Sequence, residues 1–275
     1  MLHFTKLHGN GNDFILIDEF NEKIIRDNEK AGFALKYCDR RFGIGADGVL
    51  FLGRSESDIA DIRMQIFNSD GTQAEMCGNG VRCLVKYALD KGYIQDKASI
   101  QTLAGVLPVT SRQEEKTWIS VNMGKPQFRR TLIPAKGSGE FLNVALHGYE
   151  VSAVNTGVPH AVIFVDSLDN TELMSIAPDI RYDPIFPKGT NVNFVHVDSR
   201  NEITIRTYER GVEGETFCCG TGSVASATVA YRLGKTGKSV KVNTKGGELR
   251  ITIDDDTAYM EGTAERVFEG RLELH

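Results

Sequence analysis

The sequence predicts an α+β fold of two pseudo-symmetric lobes, each a curved, mostly antiparallel sheet wrapped around a central helix. Three observations carry that expectation. The stretches AEMCGNGVRC (residues 74–83) and TFCCGTGSVA (residues 216–225) are one motif written twice, a cysteine followed by Gly-polar-Gly at the head of an apolar helix. The segments around each copy recur in the same order. A chain of 275 residues with a 41% hydrophobic share is also long enough to bury two medium-sized cores. Two copies are too few for a solenoid, so each should close as its own lobe with a cleft between them. The expected boundaries are 1–121, completed by 264–275, and 122–263.

Taken in order, the first half offers GNGNDFILID, GADGVLFL and RMQIFNSDG, then the Cys77 motif and its helix, then IQTLAGVLPVT and TWISVNMG. The second half answers with NTGVPHAVIFVD, GTNVNFVHV and TIRTYERG, then the Cys219 motif and its helix, then VKVNTKGGELRITI and AYMEG. The flanking runs are short and rich in Val, Ile, Phe and Thr, alternate in part, and end on turn signals such as SDG and KGG, as sheet strands do. Spacing pairs Asp47, Asn68 and Cys77 with Asn191, Glu209 and Cys219. After Cys77, apolar residues at Val81, Leu84, Val85, Ala88 and Leu89 fall at i, i+3, i+4, i+7, i+8, one buried helical stripe. After Cys219, SVASATVAYRL is small and apolar nearly all round, so that helix should be fully enclosed. Gly92 and Gly234 stop the two helices.

Composition narrows the partners. The net charge is −5 with both signs scattered, which gives no basic face for nucleic acid and points to a small-molecule substrate. No stretch approaches the ~18 apolar residues of a membrane span. The start, MLHFTKLHGNGNDF, lacks the apolar region and cleavage site of a secretory signal, so a cytoplasmic protein is expected. A homodimer is compatible with such a chain. Five cysteines, Cys38, Cys77, Cys83, Cys218 and Cys219, are an odd number and argue against a secreted disulfide framework.

The first turn of a helix leaves backbone N–H groups unpaired, and their partial positive charge favours an anion. A cysteine placed there can ionise more readily, its pKa dropping from about 8.5 into the range of roughly 3.5 to 7.5. Gly78, Gly80, Gly220 and Gly222 strip side chains from the same turns, so a ligand carboxylate can approach the N–H groups. Two such cradles facing each other would hold a carboxylate with one sulfur on each side of its α-carbon. Inverting a stereocentre by deprotonation needs that arrangement, a base on one face and an acid on the other. GIGADG lacks the Lys-Ser/Thr of a phosphate loop and no dinucleotide fingerprint is evident, so no cofactor machinery competes with this reading. A thiol hydrolase built on Cys219 and His160 would leave Cys77 without a role. A metal or redox module would want C-x-x-C spacing.

Together LHGNGNDF, GIGADG, FNSDG, CGNGVRC, GVPHAV, YERG, GET and CCGTG make the chain resemble the diaminopimelate epimerase family, whose members interconvert LL- and meso-diaminopimelate on the lysine and peptidoglycan route. The resemblance implies the two-lobed fold, with the C-terminal segment completing the first lobe. It implies Cys77 and Cys219 as base and acid, without pyridoxal phosphate or metal. It also implies that Gly78, Asn79, Gly220 and Thr221 bind the reacting carboxylate, and that Asn12, Asn68, Asn191, Glu209 and Arg210 bind substrate. His160 and Glu209 match residues that tune the thiols. Two departures touch substrate choice: Val158 stands where many members carry Asn, and ERGVEGET is one residue longer than the common form. The alternative is a two-thiol racemase of another amino acid on the same fold.

Overall fold

The computed structural model describes residues 1–273; Leu274 and His275, the last two positions of the expected 264–275 segment, lie outside the described residues. The chain divides into two compact units, Met1–Val121 with the chain from Gly262 onward, and Asn122–Glu261.

The first unit contains β1 (Leu2–Gly9), β2 (Asn12–Glu19), helix α1 (Lys30–Tyr37), β3 (Gly48–Arg54), β4 (Ile62–Asn68), β5 (Gln73–Ala74), α2 (Gly78–Asp90), β6 (Lys97–Thr102), β7 (Gly105–Gln113), β8 (Thr117–Asn122) and the chain's final strand, Glu265–Leu272. The second unit contains β9 (Val144–Leu146), β10 (Tyr149–Asn155), β11 (Pro159–Phe164), α3 (Leu173–Arg181), β12 (Asn191–Ser199), β13 (Glu202–Glu209), β14 (Gly214–Thr216), α4 (Gly220–Arg232), β15 (Ser239–Thr244), β16 (Gly247–Asp254) and β17 (Thr257–Thr263).

Both sheets are ordered alike. In the first, the final strand, β1, β2, β3, β4, β6, β7 and β8 are successive neighbours, antiparallel except at β2/β3 and β4/β6. In the second, the same order runs β9, β10, β11, β12, β13, β15, β16, β17, parallel only at β11/β12 and β13/β15. Helix α2 packs on β1 to β4 and the final strand, and α4 on β10 to β13, β15 and β16. The α+β architecture with one central helix per sheet is therefore present.

Two further helices were not expected. Phe33, Ala34 and Tyr37 of α1 bury with Ile15, Ile17, Val49 and Phe51, while Leu173, Ala177 and Ile180 of α3 bury with Ala161, Ile163, Val192 and Phe194. The alternate residues of the same strands, such as Val162 and Val195, pack with Val224 and Ala225 of α4. Because successive strand residues face opposite sides, α1 and α3 lie on the sheet faces away from the central helices. Strands covered on both faces read as continuous apolar runs, as AVIF in β11 does. Both added helices are short, and α3 contains Pro178, which masks them in the sequence.

Helix α4 is buried from Gly222 to Ala230, but its last turn, Tyr231 and Arg232, is exposed, so it is not enclosed along its whole length. Helix α2 buries more than one stripe: Arg82 is 0% exposed. It lies inside because its guanidinium donates to Asn10 Oδ1 and the Thr263 carbonyl, each at 2.7 Å, and to Asn79 Oδ1 at 2.5 Å. A buried charge is tolerable when it is hydrogen-bonded in this way.

The predicted stops hold. Gly92 N–H bonds to the Leu89 carbonyl and Tyr93 N–H to Ala88; Gly234 and Lys235 repeat the pattern onto Tyr231 and Ala230. These are paired Schellman turns, with the glycines at φ +70° and +72°. Alanine at either glycine should cost about 1 kcal/mol in urea denaturation. Gly32 lies within α1 with open space around its Cα, and Gly32→Ala should instead be neutral or stabilising by up to about 1 kcal/mol. Equal effects at all three positions would contradict the turn assignment.

Candidate active site

Each cysteine at a motif start is the N-cap of its unit's central helix. Cys77 has extended backbone (φ −143°, ψ 119°) and precedes α2; Cys219 (φ −115°, ψ 110°) precedes α4. Helical bonding begins with Val81 N–H to the Cys77 carbonyl at 2.8 Å and Ser223 N–H to the Cys219 carbonyl at 2.9 Å. The N–H groups of Gly78 and Asn79, and of Gly220 and Thr221, therefore stand in first-turn positions that no intrahelical carbonyl can reach. That is an anion-binding geometry. The second glycine of each motif faces inward instead. A Cβ on Gly80 would sit 3.1 Å from Leu50 and 3.4 Å from Ile66; on Gly222 it would sit 2.5 Å from Asn193 Oδ1 and 3.3 Å from His160 Cε1.

The Cys77 sulfur is half-buried. It accepts from Gly80 N–H at 3.5 Å and donates to Asn12 Oδ1 at 3.7 Å. Asn12 is oriented by its other end, because its Nδ2 donates to the Asp47 carboxylate at 2.8 Å and its Oδ1 also accepts from Asn79 at 3.3 Å. Behind it stands an ionic network: Arg40 bridges Asp13 at 2.7 Å and Asp47 at 2.8 Å, and the buried Lys6 ammonium meets Asp13 at 2.7 Å and the Gly45 carbonyl. Burial alone would push the Asp13 carboxyl up, but hydrogen bonds and charge from Arg40 and Lys6 outweigh it and hold the group well below the usual range. Asn68 is exposed at the end of β4 and donates to Thr72 Oγ1 at 2.9 Å. Lys6, Arg40 and Arg82 were not identified from the sequence; of the three, only Arg82 lies within a recognised motif, CGNGVRC.

Cys219 is 7% exposed, with Thr221 Oγ1 3.4 Å from its sulfur. The general expectation of a lowered thiol pKa at a helix start fails here. Burial, and then the negative charge of Glu209, push this thiol well above its ordinary range, against the opposing Thr221 hydroxyl and Gly222 N–H. His160 lies 2.9 Å from Thr221 Oγ1 and is 0% exposed. Burial, with the Arg210 charge adding to it, lowers its pKa to about 3, so the imidazole is neutral. Glu209 Oε2 accepts from Thr216 at 2.9 Å.

Asn191 has both amide ends engaged, donating to the Pro159 carbonyl at 2.9 Å and accepting from Arg210 N–H at 2.8 Å, while the Arg210 guanidinium donates to the Lys188 carbonyl at 3.2 Å. The ERGVEGET loop is closed on itself: Glu213 N–H bonds to the Glu209 carbonyl at 2.8 Å, and Glu213 Oε1 accepts from Gly211 N–H at 3.0 Å and Arg181 at 2.8 Å. Burial pushes the Cys38 and Cys83 thiols up to about 12 each, and Cys218 packs in the core around α4. Among the described residues no three His, Cys, Asp or Glu side chains gather to hold a metal ion, and no helix is long and apolar enough to cross a membrane.

The strand registers refine the internal match. Phe14, Gly48 and Asn68 are cross-strand partners in the first unit. His160 and Asn191 are partners in the second, and the β12/β13 register carries Asn191 to Glu209. Asn191 therefore corresponds to Gly48, one residue from the Asp47 that sequence spacing suggested.

The family model described as diaminopimelate epimerase matches residues 4–129 and 152–267. A protein named diaminopimelate epimerase from Methanocella arvoryzae is 57% identical over 99% of this chain and 97% of its own length. One of the same name from Methanothrix thermoacetophila is also 57% identical, over 98% of this chain and 95% of its own. Among solved structures, a PhzF-family phenazine biosynthesis protein from Bacillus anthracis superposes with a TM-score of 0.74 at 19% identity, covering 99% of both chains, and so shares the fold. By the family match and these identities, the chain belongs to the diaminopimelate epimerase family of amino-acid epimerases.

Proposed function

We propose that this chain interconverts LL- and meso-diaminopimelate by proton transfer, with Cys77 and Cys219 serving as base and acid on opposite faces of the α-carbon and no cofactor taking part. One observation carries the reading: each lobe places a cysteine at the N-cap of its central helix, beside N–H groups that the helix itself leaves unpaired. The name shared by the relatives supplies the substrate.

In this mechanism the α-carboxylate is held by the N–H groups of Gly78 and Asn79 and of Gly220 and Thr221. As a thiolate removes the α-proton, charge moves onto that carboxylate, where preorganised N–H donors stabilise it without reorganising. The other cysteine, as a thiol, protonates the opposite face and becomes the thiolate. Burial and Glu209 keep Cys219 protonated in the resting protein, so it starts as the acid for one epimer; the other epimer needs the reversed proton inventory. Asn12, Asn68 and Asn191 supply neutral hydrogen bonds, and Asn191 retains capacity at each amide end beyond its two internal bonds. Glu209 faces a substrate ammonium, and Arg210 takes the distal carboxylate. The setting is the cytoplasm, within lysine biosynthesis.

Incubation with LL-diaminopimelate in D2O, without added cofactor, should yield meso product carrying α-deuterium; absence of both would refute the proposal. Cys77→Ser and Cys219→Ser should each lower turnover at least roughly 100-fold, the scale of a lost acid or base. Cys218→Ser should leave turnover largely in place, since that sulfur sits in the core. Retention of more than about a tenth of turnover by either of the first two variants would overturn the two-thiol mechanism.

Substrate choice has its own test. Arg210→Lys keeps the charge but loses the planar fork, so kcat/KM should fall by more than roughly tenfold. The purified protein should prefer diaminopimelate over glutamate, lysine and histidine by at least roughly 100-fold, about 2.7 kcal/mol. Comparable racemisation of any of the three would favour a broader racemase, consistent with the apolar Val158.

A further inference from the structure

The two lobes serve as internal controls for each other, and they differ beneath the start of the central helix. In the first lobe the inward positions there are Phe14, Leu50 and Ile66, with Leu16↔Leu50 and Leu50↔Ile66 as cross-strand partners. The same register in the second lobe gives His160, Asn193 and Thr207, with Val162↔Asn193 and Asn193↔Thr207. An apolar ladder has become a polar one, although all three polar residues are at most 3% exposed. Buried polar groups are costly unless paired, and here the pairing has a direction.

Asn193 Nδ2 lies 3.0 Å from the Ala161 carbonyl, which can only accept, while Asn193 Oδ1 accepts from Thr207 Oγ1 at 2.9 Å. Those two bonds fix the amide. Its Nδ2 is also 3.0 Å from His160 Nδ1, so that nitrogen must be the acceptor and the ring proton resides on Nε2. His160 Nε2–H then donates to Thr221 Oγ1 at 2.9 Å. With its oxygen accepting from the imidazole, the Thr221 hydroxyl is left to direct its own hydrogen at the Cys219 sulfur, 3.4 Å away. Gly222 makes this possible, since any side chain there would strike Asn193 and His160.

We propose that Asn193 and Thr207 are positioning residues that lock His160 in its Nε2–H tautomer, so that Thr221 presents a hydroxyl hydrogen to Cys219 whenever that sulfur is a thiolate. The proposal rests on the reading that Cys219 exchanges a proton with substrate: when the thiol gives its proton to carbon, the S–H bonding pair stays on sulfur and the Thr221 O–H bond points at it. His160 exchanges no proton itself. The charged and titratable groups facing this chain are Arg210 beside His160, and Glu209 and Cys218 beside Cys219.

Two measurements test it, and neither uses diaminopimelate. Nitrogen-15 NMR of the imidazoles should show His160 protonated at Nε2 and bare at Nδ1. Asn193→Leu, the residue of the sister lobe, should populate the Nδ1–H tautomer; an unaltered tautomer, or Nδ1–H in the wild-type protein, would overturn the proposal. Alkylation of Cys219 by iodoacetamide, followed against pH by mass spectrometry, should shift its midpoint up by about one unit in Thr221→Val, a tenfold loss of thiolate at a given pH. Thr221→Ser, which keeps the hydroxyl, should retain the wild-type midpoint, and Cys77 in the same samples should not move. A purely structural role would spare the isosteric valine and disturb serine, the reverse pattern. If the diaminopimelate assay fails while these results hold, the substrate reading falls and the relay stands. If turnover holds while valine leaves the midpoint unchanged, the relay alone is wrong.

Discussion

The structure depends on the unpaired N–H groups at the head of two buried helices. Serine, threonine, aspartate or asparagine at an N-cap would satisfy one of those donors and stabilise the helix by about 1 kcal/mol over a poor cap. Both lobes place cysteine there instead. In the first, the sulfur accepts a long bond from Gly80 N–H, and in the second the sulfur lies 3.4 Å from the Thr221 hydroxyl. The chain forgoes a cheap source of stability at two equivalent positions. What it gains is a pair of helix ends with open donors beside an ionisable sulfur.

Everything behind those ends serves to hold them still. The central helices are enclosed by their sheets, and the outer helices α1 and α3 cover the opposite faces. The strands beneath the helix starts are thus packed against helices on both faces and have little freedom to shift. The position of each sulfur is thereby set by a packed frame.

The duplicated frame carries two different electrostatic solutions. Around Cys77 the support is ionic, with Lys6, Arg40, Asp13 and Asp47 converging behind Asn12. Behind Cys219 runs a neutral chain, Thr221 to His160 to Asn193, with the charges of Glu209 and Arg210 nearby. Charges cost most in the driest surroundings. Accordingly, the half-buried sulfur has the ionic network and the nearly enclosed one has the neutral relay.

The sequence by itself determined the duplication, the two central helices, the glycines that end them and the two cysteines that begin them. Each of these is local: a repeated motif, a 3.6-residue period, a left-handed stop, an N-cap. Helices α1 and α3 were not legible, because an eight- or nine-residue segment carrying Gly32 or Pro178 has weak local preference and exists only by packing on a sheet face. Arg82 lies off the apolar stripe that the sequence shows, and its burial rests on Asn10 and the Thr263 carbonyl, both distant in sequence, together with Asn79 one turn earlier. Asn193 had a faint signal, a polar residue at an inward position of GTNVNFVHV, yet its meaning depends on the register that sets it beside His160. The raised thiol of Cys219 was also beyond the sequence, since helix-end position predicts a lowered value and only burial beside Glu209 reverses it. Local chemistry chose which residues could react; the tertiary structure decided how each one is charged, oriented and supplied with partners, because burial and strand register are properties of the folded whole.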